Sequence, residues 1–366
     1  MNDAGSPTER TLTGPVLVVG AGMLGTSIGL ALARSGVEVR LYDVVPQNVT
    51  IAESLGAGTD ASDVDVADMQ LVVVAVPPDH LAHEITAALT SGGRCVTDVG
   101  SVKNAPLRAV AGRVSPELLG RYVGSHPMAG SERSGPFAAS AALFDGRPWA
   151  VTPHPAAADE SVALVTALAR ACGATPVTMA TEEHDEAVAR TSHVPHLLSA
   201  LVAGRLAGAP ASHLALSGQG VRDVTRVAAG DPALWQQIIA GNADAVAGLL
   251  SDVRQDLDDL LVAVRTGDRT RVSALLARGV AGTAAIPAKH GGPARPTAPV
   301  YVAVPDHPGE LARLLASAGE IGVNVEDLRI DHDPGRPVGL VELTVEEGRA
   351  DFLTTSLEER GWSAHR

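Results

Sequence analysis

The feature that most constrains the fold is a glycine-rich segment at residues 20–25, with the sequence Gly-Ala-Gly-Met-Leu-Gly. An apolar segment at 15–19 precedes it and predicts a buried strand, and the pattern after it predicts a helix over 26–35. A second strand, predicted at 38–42, ends at Asp43. Strand, glycines, helix, strand and acid in this order are typical of a dinucleotide-binding βαβ unit.

Each glycine of this segment has its own role in such a unit. Gly20 permits a tight turn, Gly22 lets a pyrophosphate approach the backbone, and Gly25 lets helix and strand pack closely. The helix N-terminus presents N–H groups to the phosphates. Asp43 accepts from ribose hydroxyls and repels a 2′-phosphate, which favours NAD over NADP. The predicted cofactor-binding residues are Gly20, Gly22, Met23, Leu24, Gly25, Asp43, Val76 and Pro77.

Alternating strands and helices continue to about residue 180. Further strands are predicted at 71–76, 94–98 and 122–124. Ligands of open α/β sheets bind beyond the carboxyl ends of the strands, so we expect the turns at Pro77, Ser101 and His126 to face the cofactor. His126 stands among glycines and a proline in the segment 124–132 and can exchange a proton near neutral pH.

From Glu182 onward the apolar spacing becomes helical, and the run 182–206 predicts one long helix kinked at Pro195. His193 and His196 are three residues apart and share a face of this helix. No acid or cysteine stands where it would complete a metal site with them, so no metal is predicted. We expect His193 to be a packing or a surface histidine and His196 to reach the pocket.

Two arginines, Arg222 and Arg226, lie one helical turn apart beyond that helix. An arginine can clamp a substrate carboxylate with two hydrogen bonds, whereas a surface salt bridge to Asp223 explains the same residues equally well. Two further helices are predicted at 231–239 and 243–264. Helical second domains of two-domain dehydrogenases often pair across a two-fold axis, so by analogy we expect a homodimer.

The C-terminal part of the chain follows a different pattern. A segment rich in proline and glycine at 286–298 predicts a linker. Strands are predicted at 300–304, 323–330 and 338–345, and helices at 311–319 and 350–360. The order β-α-β-β-α indicates a ferredoxin-like domain whose fourth strand would have to fit in 362–366, where it is short or missing. No nucleophile with an adjacent base occurs here, so we expect binding and not catalysis.

Composition excludes several classes of function. The chain has 28 basic and 42 acidic residues and a formal net charge of −14, whereas nucleic acids and anionic membranes need a basic face. No apolar run reaches the length of a membrane span, and the polar residues 1–14 do not read as a secretory signal, so we expect a cytoplasmic protein. Cys95 and Cys172 are too few for a disulfide framework and are expected to be buried thiols.

These predictions combine into an α/β fold class with three folded domains. The N-terminal domain is a Rossmann dinucleotide-binding domain, the second is all-helical, and the third is α+β. The predicted boundaries are a disordered tail at 1–14, a Rossmann NAD-binding domain at 15–180, a helical substrate and dimerisation domain at 181–285, a linker at 286–298 and a ferredoxin-like domain at 299–366.

From residue 15 to its end the chain resembles the prephenate dehydrogenase family of tyrosine biosynthesis, in the form that carries a C-terminal ACT domain. The most specific motifs are 124–132, 193–196, and 223–226 followed by Trp235. The resemblance implies that NAD takes a hydride from C4 of prephenate while the ring carboxylate leaves as carbon dioxide. The product would be 4-hydroxyphenylpyruvate.

The resemblance also implies roles for individual residues. His126 would accept the proton of the substrate's 4-hydroxyl, and Ser101 would orient both the histidine and the hydroxyl. Arg226 would hold the ring carboxylate, and Trp235 would reach the pocket of the partner subunit. The other residues that line the pocket would be His196, Ser131 and Glu132.

The resemblance further implies regulation by the C-terminal domain, with tyrosine as the expected effector. ACT domains bind amino acids where the first strand meets the first helix, opposite the start of the second strand. The corresponding residues are Asp306, Pro308, Gly309, Glu310, Leu311, Asn324 and Val325. Arogenate and 4-amino-4-deoxyprephenate are open alternatives to prephenate as substrate. Outside enzymes, the alternative is a non-catalytic amino-acid sensor.

Overall fold

A computed structural model of the chain describes residues 11–130, 133–286, 296–332 and 338–366. The chain divides into two compact units, residues 1–254 and 255–366. Among the described residues, no helix is both long enough and apolar enough to cross a lipid bilayer. Most of the predicted tail at 1–14 and of the predicted linker at 286–298 lies outside the described residues.

The first unit contains a five-stranded parallel sheet with the strand order β3-β2-β1-β4-β5. Its strands are β1 Val16–Val19, β2 Val39–Tyr42, β3 Thr59–Asp60, β4 Leu71–Val74 and β5 Val96–Asp98. The strand order reverses between β1 and β4, and open α/β sheets bind their ligands at such a reversal. The predicted Rossmann-like fold is confirmed, and the short β3 was not predicted.

Helices lie on both faces of this sheet because its central strands are apolar on both faces. They are α1 Met23–Arg34, α2 Pro46–Ser54, α3 Pro78–Thr90, α4 Asn104–Ala111 and α5 Pro116–Leu119. Val18 of β1 belongs to the same core as Ile28 of α1. Leu17, which points to the opposite face, belongs to a second core with Leu81 of α3.

The next three strands form a separate sheet instead of continuing the parallel one. They are β6 Gly124–Pro127, β7 Pro148–Thr152 and β8 Thr175–Thr178. α6 Asp159–Ala171 connects β7 to the parallel β8, but β6 and β7 are antiparallel. The described part of the β6–β7 connection contains a 3₁₀ turn, Pro136–Ala138, where a parallel pair usually needs a crossover helix.

The long helix predicted at 182–206 is present but is interrupted by a π-helical turn. α7 Thr181–Val188 leads into the π turn Ala189–His193, which leads into α8 Val194–Gly204. Pro195 lacks an N–H to continue the regular pattern, and the N–H of Val194 bonds to the carbonyl of Ala189, five residues earlier. Such turns occur frequently at functional sites.

Further helices complete the first unit and begin the second. They are α9 Ala211–Leu214, α10 Gln219–Arg226, α11 Pro232–Gly241, α12 Ala243–Thr266 and α13 Arg269–Ala284. α11 begins where predicted, because the Asp231 carboxylate accepts a hydrogen bond from the N–H of Ala233 at 2.9 Å. The helical character predicted for the second domain is therefore confirmed, and α13 was not predicted separately.

The C-terminal part of the second unit is a four-stranded antiparallel sheet with two helices. The elements are β9 Thr297–Pro305, α14 Glu310–Ile321, β10 Asp327–His332, β11 Val338–Glu346, α15 Glu347–Glu359 and β12 Ser363–His365. The strand order is β10-β11-β9-β12. The fourth strand is present but short, and pairs with β9 from Ser363 to His365. Val302 of β9 packs in one core with Leu314 and Leu353 of the two helices.

Candidate active site

The glycine-rich loop between β1 and α1 has room for a ligand at one position and close contacts at the other two. Gly20 has a φ of +104°, and a Cβ placed on it would lie 2.5 Å from the carbonyl oxygen of Ala75. A Cβ on Gly25 would overlap the carbonyl oxygen of Gly20. A Cβ on Gly22 would meet nothing within 4 Å. The backbone at Gly22 is therefore open to an approaching phosphate, at the N-terminus of α1.

Asp43, at the end of β2, is held against this loop. Its Oδ2 accepts a hydrogen bond from the N–H of Ala21 at 2.7 Å, and its Oδ1 accepts from the N–H of Val45 at 2.8 Å. Val76 lies in the turn after β4, beside Gly20, where its nitrogen would be 3.2 Å from a Cβ on that glycine. The loop, the acid and the β4–α3 turn thus meet at one edge of the sheet, an arrangement that fits a dinucleotide.

His126 lies in β6, opposite Ala150 of β7, and not in a turn as predicted. Just before β6, Tyr122 forms a parallel bridge with Val96 of β5. If that register is extended, His126 lies two residues beyond the end of β5, since Asp98 falls opposite Gly124. The histidine is therefore beyond the carboxyl end of the parallel sheet, where ligands of such sheets bind.

Two residues of α7, His184 and Asp185, hold the ring of His126. The Nδ1 of His126 lies 3.0 Å from the Nε2 of His184, and the Nδ1 of His184 lies 2.8 Å from the Oδ1 of Asp185. Both α7 residues are buried. Neither residue was predicted to belong to the site, although His184 is one helical turn before the buried Val188 and so shares its inward face.

A second buried network lies behind His126. The Lys103 ammonium pairs with the Asp98 carboxylate and donates to the carbonyl of Ser125 at 2.7 Å. The hydroxyl of Tyr122 donates to the other oxygen of Asp98 at 2.7 Å. The Ser125 hydroxyl donates to the backbone carbonyl of Asp98 at 2.8 Å. These bonds join β5 to β6 and fix the backbone on the N-terminal side of His126.

The electrostatics of the site favour a neutral His126. Enclosure in the protein and the nearby His184, Lys103 and His193 hold the pKa of His126 well below its usual range. Burial also lowers the pKa of His193, to about 4. Burial disfavours the charged form of Asp185, but hydrogen bonds from His184 and from the N–H groups of Asn104 and Lys103 outweigh it and lower the pKa of the carboxyl.

The helices bring His196 and Trp235 together with the segment that follows Arg226. The rings of His196 and Trp235 are stacked, with centroids 3.5 Å apart and an angle of 10° between planes. Burial lowers the pKa of His196, and the nearby backbone of Val227, the residue after Arg226, acts in the opposite direction. Ser199 bonds to the carbonyl of Val224, at 2.6 Å. Within one chain, then, Trp235 contacts His196, although it was expected to reach the pocket of a partner subunit.

The salt bridge considered for the arginines of α10 is absent from the described part of the chain. Asp223 accepts a hydrogen bond from Gln219 at 3.0 Å instead. Neither Arg222 nor Arg226 forms an ion pair with a described residue, and both are exposed. No side-chain hydrogen bond of Ser101 occurs within the described ranges. The predicted pocket residues Ser131 and Glu132 lie outside the described residues.

The two cysteines are buried, as predicted, and His193, for which packing and surface positions were both open, is buried too. The Nδ1 of His193 accepts a hydrogen bond from the amide of Asn242 at 3.2 Å. The same amide donates to the backbone carbonyl of Asp185 at 2.7 Å. Burial raises the pKa of Cys95 and of Cys172 to about 12, so neither thiol is a nucleophile at neutral pH.

Two family models match most of the first unit and part of the second. Residues 28–178 match the model described as prephenate dehydrogenase, nucleotide-binding domain, and residues 180–278 match prephenate dehydrogenase, dimerization domain. The chain belongs to the prephenate dehydrogenase family. Membership confirms the family resemblance of the sequence, whereas neither model extends to an ACT domain.

Individual relatives agree with this membership. The chain is 38% identical over 367 residues to a Streptomyces niveus protein named "Probable prephenate dehydrogenase NovF". The match covers 95% of this chain and 99% of the relative. It is 30% identical over 264 residues to the cyclohexadienyl dehydrogenase of Zymomonas mobilis, over 69% of this chain and 89% of the relative. A crystal structure of prephenate dehydrogenase from A. aeolicus with hydroxyphenyl propionate and NAD+ superposes with a TM-score of 0.64 at 27% identity, over 73% and 96% of the two chains.

Proposed function

We propose that the protein is an NAD-dependent dehydrogenase that decarboxylates prephenate oxidatively to 4-hydroxyphenylpyruvate. The observation that carries this proposal is His126, a half-buried histidine beyond the carboxyl end of the sheet whose ring is held at Nδ1 by His184. A neutral histidine with one nitrogen engaged can use the other as a base. Family membership and the geometry of the glycine-rich loop support the same conclusion.

The residues of the loop fit a dinucleotide. The open backbone at Gly22 and the N-terminus of α1 would hold the pyrophosphate, and Asp43 would hold the adenosine ribose. When bound, NAD supplies the acceptor for the hydride of C4. The relative of known structure was crystallised with NAD+.

The proton of the reaction passes through His126. As hydride leaves C4, the 4-hydroxyl gives its proton to His126 and the C4–O bond becomes a carbonyl. The bond between C1 and the ring carboxylate then breaks, carbon dioxide leaves, and the electron pair makes the ring aromatic with a phenolate oxygen. That oxygen recovers the proton from His126, so the imidazole acts first as a base and then as an acid.

In this proposal, Arg226 binds the substrate's ring carboxylate. The guanidinium has no ion-pair partner among the described residues, and the backbone of its neighbour Val227 lies near His196. The stacked rings of His196 and Trp235 would form an apolar wall beside the cyclohexadienyl ring. Ser101 completes the described part of the proposed pocket.

Rates of NAD reduction with purified protein test the function. We expect turnover with prephenate, and arogenate and 4-amino-4-deoxyprephenate are the competing substrates. The relative from Zymomonas mobilis carries the broader name cyclohexadienyl dehydrogenase, so all three should be compared. Absence of NAD reduction with every one of them would contradict the proposal.

Replacing the base separates an enzyme from a sensor. We expect His126→Asn to lower kcat by at least about 100-fold, because general base catalysis contributes roughly that much or more. NAD affinity, measured by fluorescence titration, should stay within a few-fold of wild type. A variant with wild-type turnover would show that His126 is not the base.

We further propose that residues 299–366 form a ferredoxin-like ACT domain that binds tyrosine. Its β-α-β-β-α-β order supports the assignment, and Gly309 has a φ of +94° in the turn before α14, a conformation that suits glycine. The effector would contact this turn, residues 306–311, together with Asn324 and Val325. We expect tyrosine to raise the melting temperature, and Asn324→Ala to reduce that shift. If phenylalanine raised the melting temperature of the wild type and of Asn324→Ala as much as tyrosine does, the result would contradict the assignment.

The proposed domain bounds are 15–180 for the Rossmann domain and 181–285 for the helical domain. The proposed assembly is a homodimer formed through the helical domain. The family model for residues 180–278 is a dimerization domain. On α12 and α13, Leu257, Leu276 and Val280 are more than half exposed, at 61%, 66% and 70%. Exposed apolar side chains in such number support a surface that a second copy covers.

A further inference from the structure

We propose that His184 and Asp185 are positioning residues that fix the tautomer of His126, so that the lone pair of its Nε2 is the one presented to substrate. The role rests on the proposed function, because it assigns a task to the same base. The tautomer itself is a property of the folded protein and can be measured without substrate. His184 and Asp185 are not among the residues implied by the family motifs of the sequence.

The assignment begins at Asp185, whose carboxylate accepts three hydrogen bonds. Its Oδ1 accepts from the N–H of Lys103 and from the Nδ1 of His184, each at 2.8 Å, and its Oδ2 accepts from the N–H of Asn104 at 2.9 Å. These two N–H groups belong to the N-terminus of α4, which favours a negative charge. An ionised carboxylate only accepts, so the Nδ1 of His184 carries a hydrogen.

The position of the proton on the His184 ring determines the position of the proton on the His126 ring. A neutral imidazole has one N–H and one lone pair, so a hydrogen on the Nδ1 of His184 leaves its Nε2 as an acceptor. The atom 3.0 Å from that acceptor is the Nδ1 of His126, which must therefore be the donor. The Nε2 of His126 then has no hydrogen and can accept the proton of the substrate hydroxyl.

The same chain of contacts serves the charged form of His126. When Nε2 takes the proton, His126 becomes an imidazolium whose Nδ1–H still points at His184, and Asp185 supplies the compensating negative charge through that ring. The other charged and titratable groups that face the pair are Lys103, which is paired with Asp98, and His193 on the π turn. NAD is the oxidant of the proposed reaction, and this proton transfer needs no further co-reactant, since the proton returns to the phenolate oxygen after carbon dioxide leaves.

Substitution of His184 tests the proposal in the enzyme. His184→Phe keeps a ring of similar size but removes the acceptor, so we expect kcat to fall by about 100-fold with little change in the KM for prephenate. His184→Gln offers an amide oxygen as acceptor and should recover part of that loss. Glu183→Gln, on the exposed side of α7 and one residue away, is the matched control and should behave as wild type.

The pH profile distinguishes positioning from mere packing. His184 accepts from the Nδ1–H of His126 and is one of the groups that set the pKa of that ring, so its removal should move the acid limb of kcat/KM away from its wild-type position. A structural defect would reduce the rate without moving the limb. A His184→Phe enzyme with wild-type kcat and an unmoved limb would overturn the proposal.

Nitrogen-15 NMR of the histidine rings reads the tautomer directly and needs neither turnover nor a variant. At neutral pH we expect His126 of the wild type to carry its hydrogen on Nδ1 and a bare Nε2, with His184 carrying its hydrogen on Nδ1. A hydrogen on Nε2 of His126 would overturn the proposal even if the enzyme is active. The expected tautomer in a protein that reduces no NAD would instead refute only the proposed function. The measurement also decides the case if His184→Phe fails to fold.

Discussion

At the scale of single residues, the chemistry of His126 is set by groups remote from it in sequence. His184 is 58 residues away, and Lys103 comes from the loop after β5. Together with enclosure in the protein they lower the pKa of the ring, so the histidine stays neutral where a solvent-exposed one would be protonated. A base that is already neutral at the working pH is ready to accept a proton.

The pH dependence of the wild-type enzyme follows from this lowered pKa. Activity requires neutral His126 and is lost as pH falls through its pKa, so a lowered pKa moves the acid limb of kcat/KM below the usual histidine value of about 6.5. Initial rates between pH 4.5 and 8 would locate the limb. Replacement of His83, which is exposed on α3, should leave the profile unchanged. A limb at about pH 6.5 or above would contradict the prediction.

At the scale of elements, the β1–α1 junction separates the glycines that build the fold from the glycine that serves a ligand. The carbonyl of Gly20 occupies the space that a Cβ on Gly25 would need, so helix and strand can approach only with glycine at this position. Gly22 faces open space, and nothing in the fold demands glycine there.

A pair of alanine substitutions tests this division. Gly25→Ala should lower the free energy of unfolding by roughly 1–3 kcal/mol, because the backbone has to move to admit the methyl group. Gly22→Ala should change the stability much less but weaken NAD binding, since its methyl group would meet the pyrophosphate. Urea denaturation and NAD titration of both variants provide the comparison. Equal losses of stability would show that both glycines are structural.

At the scale of the whole molecule, the proposed dimer and the proposed effector domain concern different elements of the chain. Leu257 and Leu276, which are exposed on α12 and α13, lie within the region of the family's dimerization model. The sheet from β9 to β12 has a core of its own, formed by its strands and by α14 and α15. Assembly and regulation can therefore be probed with different variants.

A charge introduced into the apolar surface tests the dimer. Leu257→Asp would bury a carboxylate at a two-fold interface, so we expect light scattering to report a monomer where the wild type is a dimer. Gln255→Asp introduces the same charge on the opposite side of α12, where Gln255 is exposed, and should leave the dimer intact. A dimeric Leu257→Asp protein with an unchanged dissociation constant would place the interface elsewhere.

The sequence by itself determined the elements whose signals are local. The apolar segments of β1 and β4, the glycines between β1 and α1, and Asp43 at the end of β2 predicted the parallel sheet, because each signal spans only a few neighbouring residues. The periodicity after Glu182 predicted the helical region for the same reason. The motif around His126 indicated the base without indicating what holds it.

Only the tertiary structure decided which side chains surround that base. It placed His126 in β6 and not in a turn, and it brought His184 and Asp185 of α7 against it. It also paired β6 with β7 in antiparallel fashion and stacked Trp235 on His196. These arrangements join residues tens of positions apart through packing and buried hydrogen bonds, and such contacts leave no periodic signal in a single sequence.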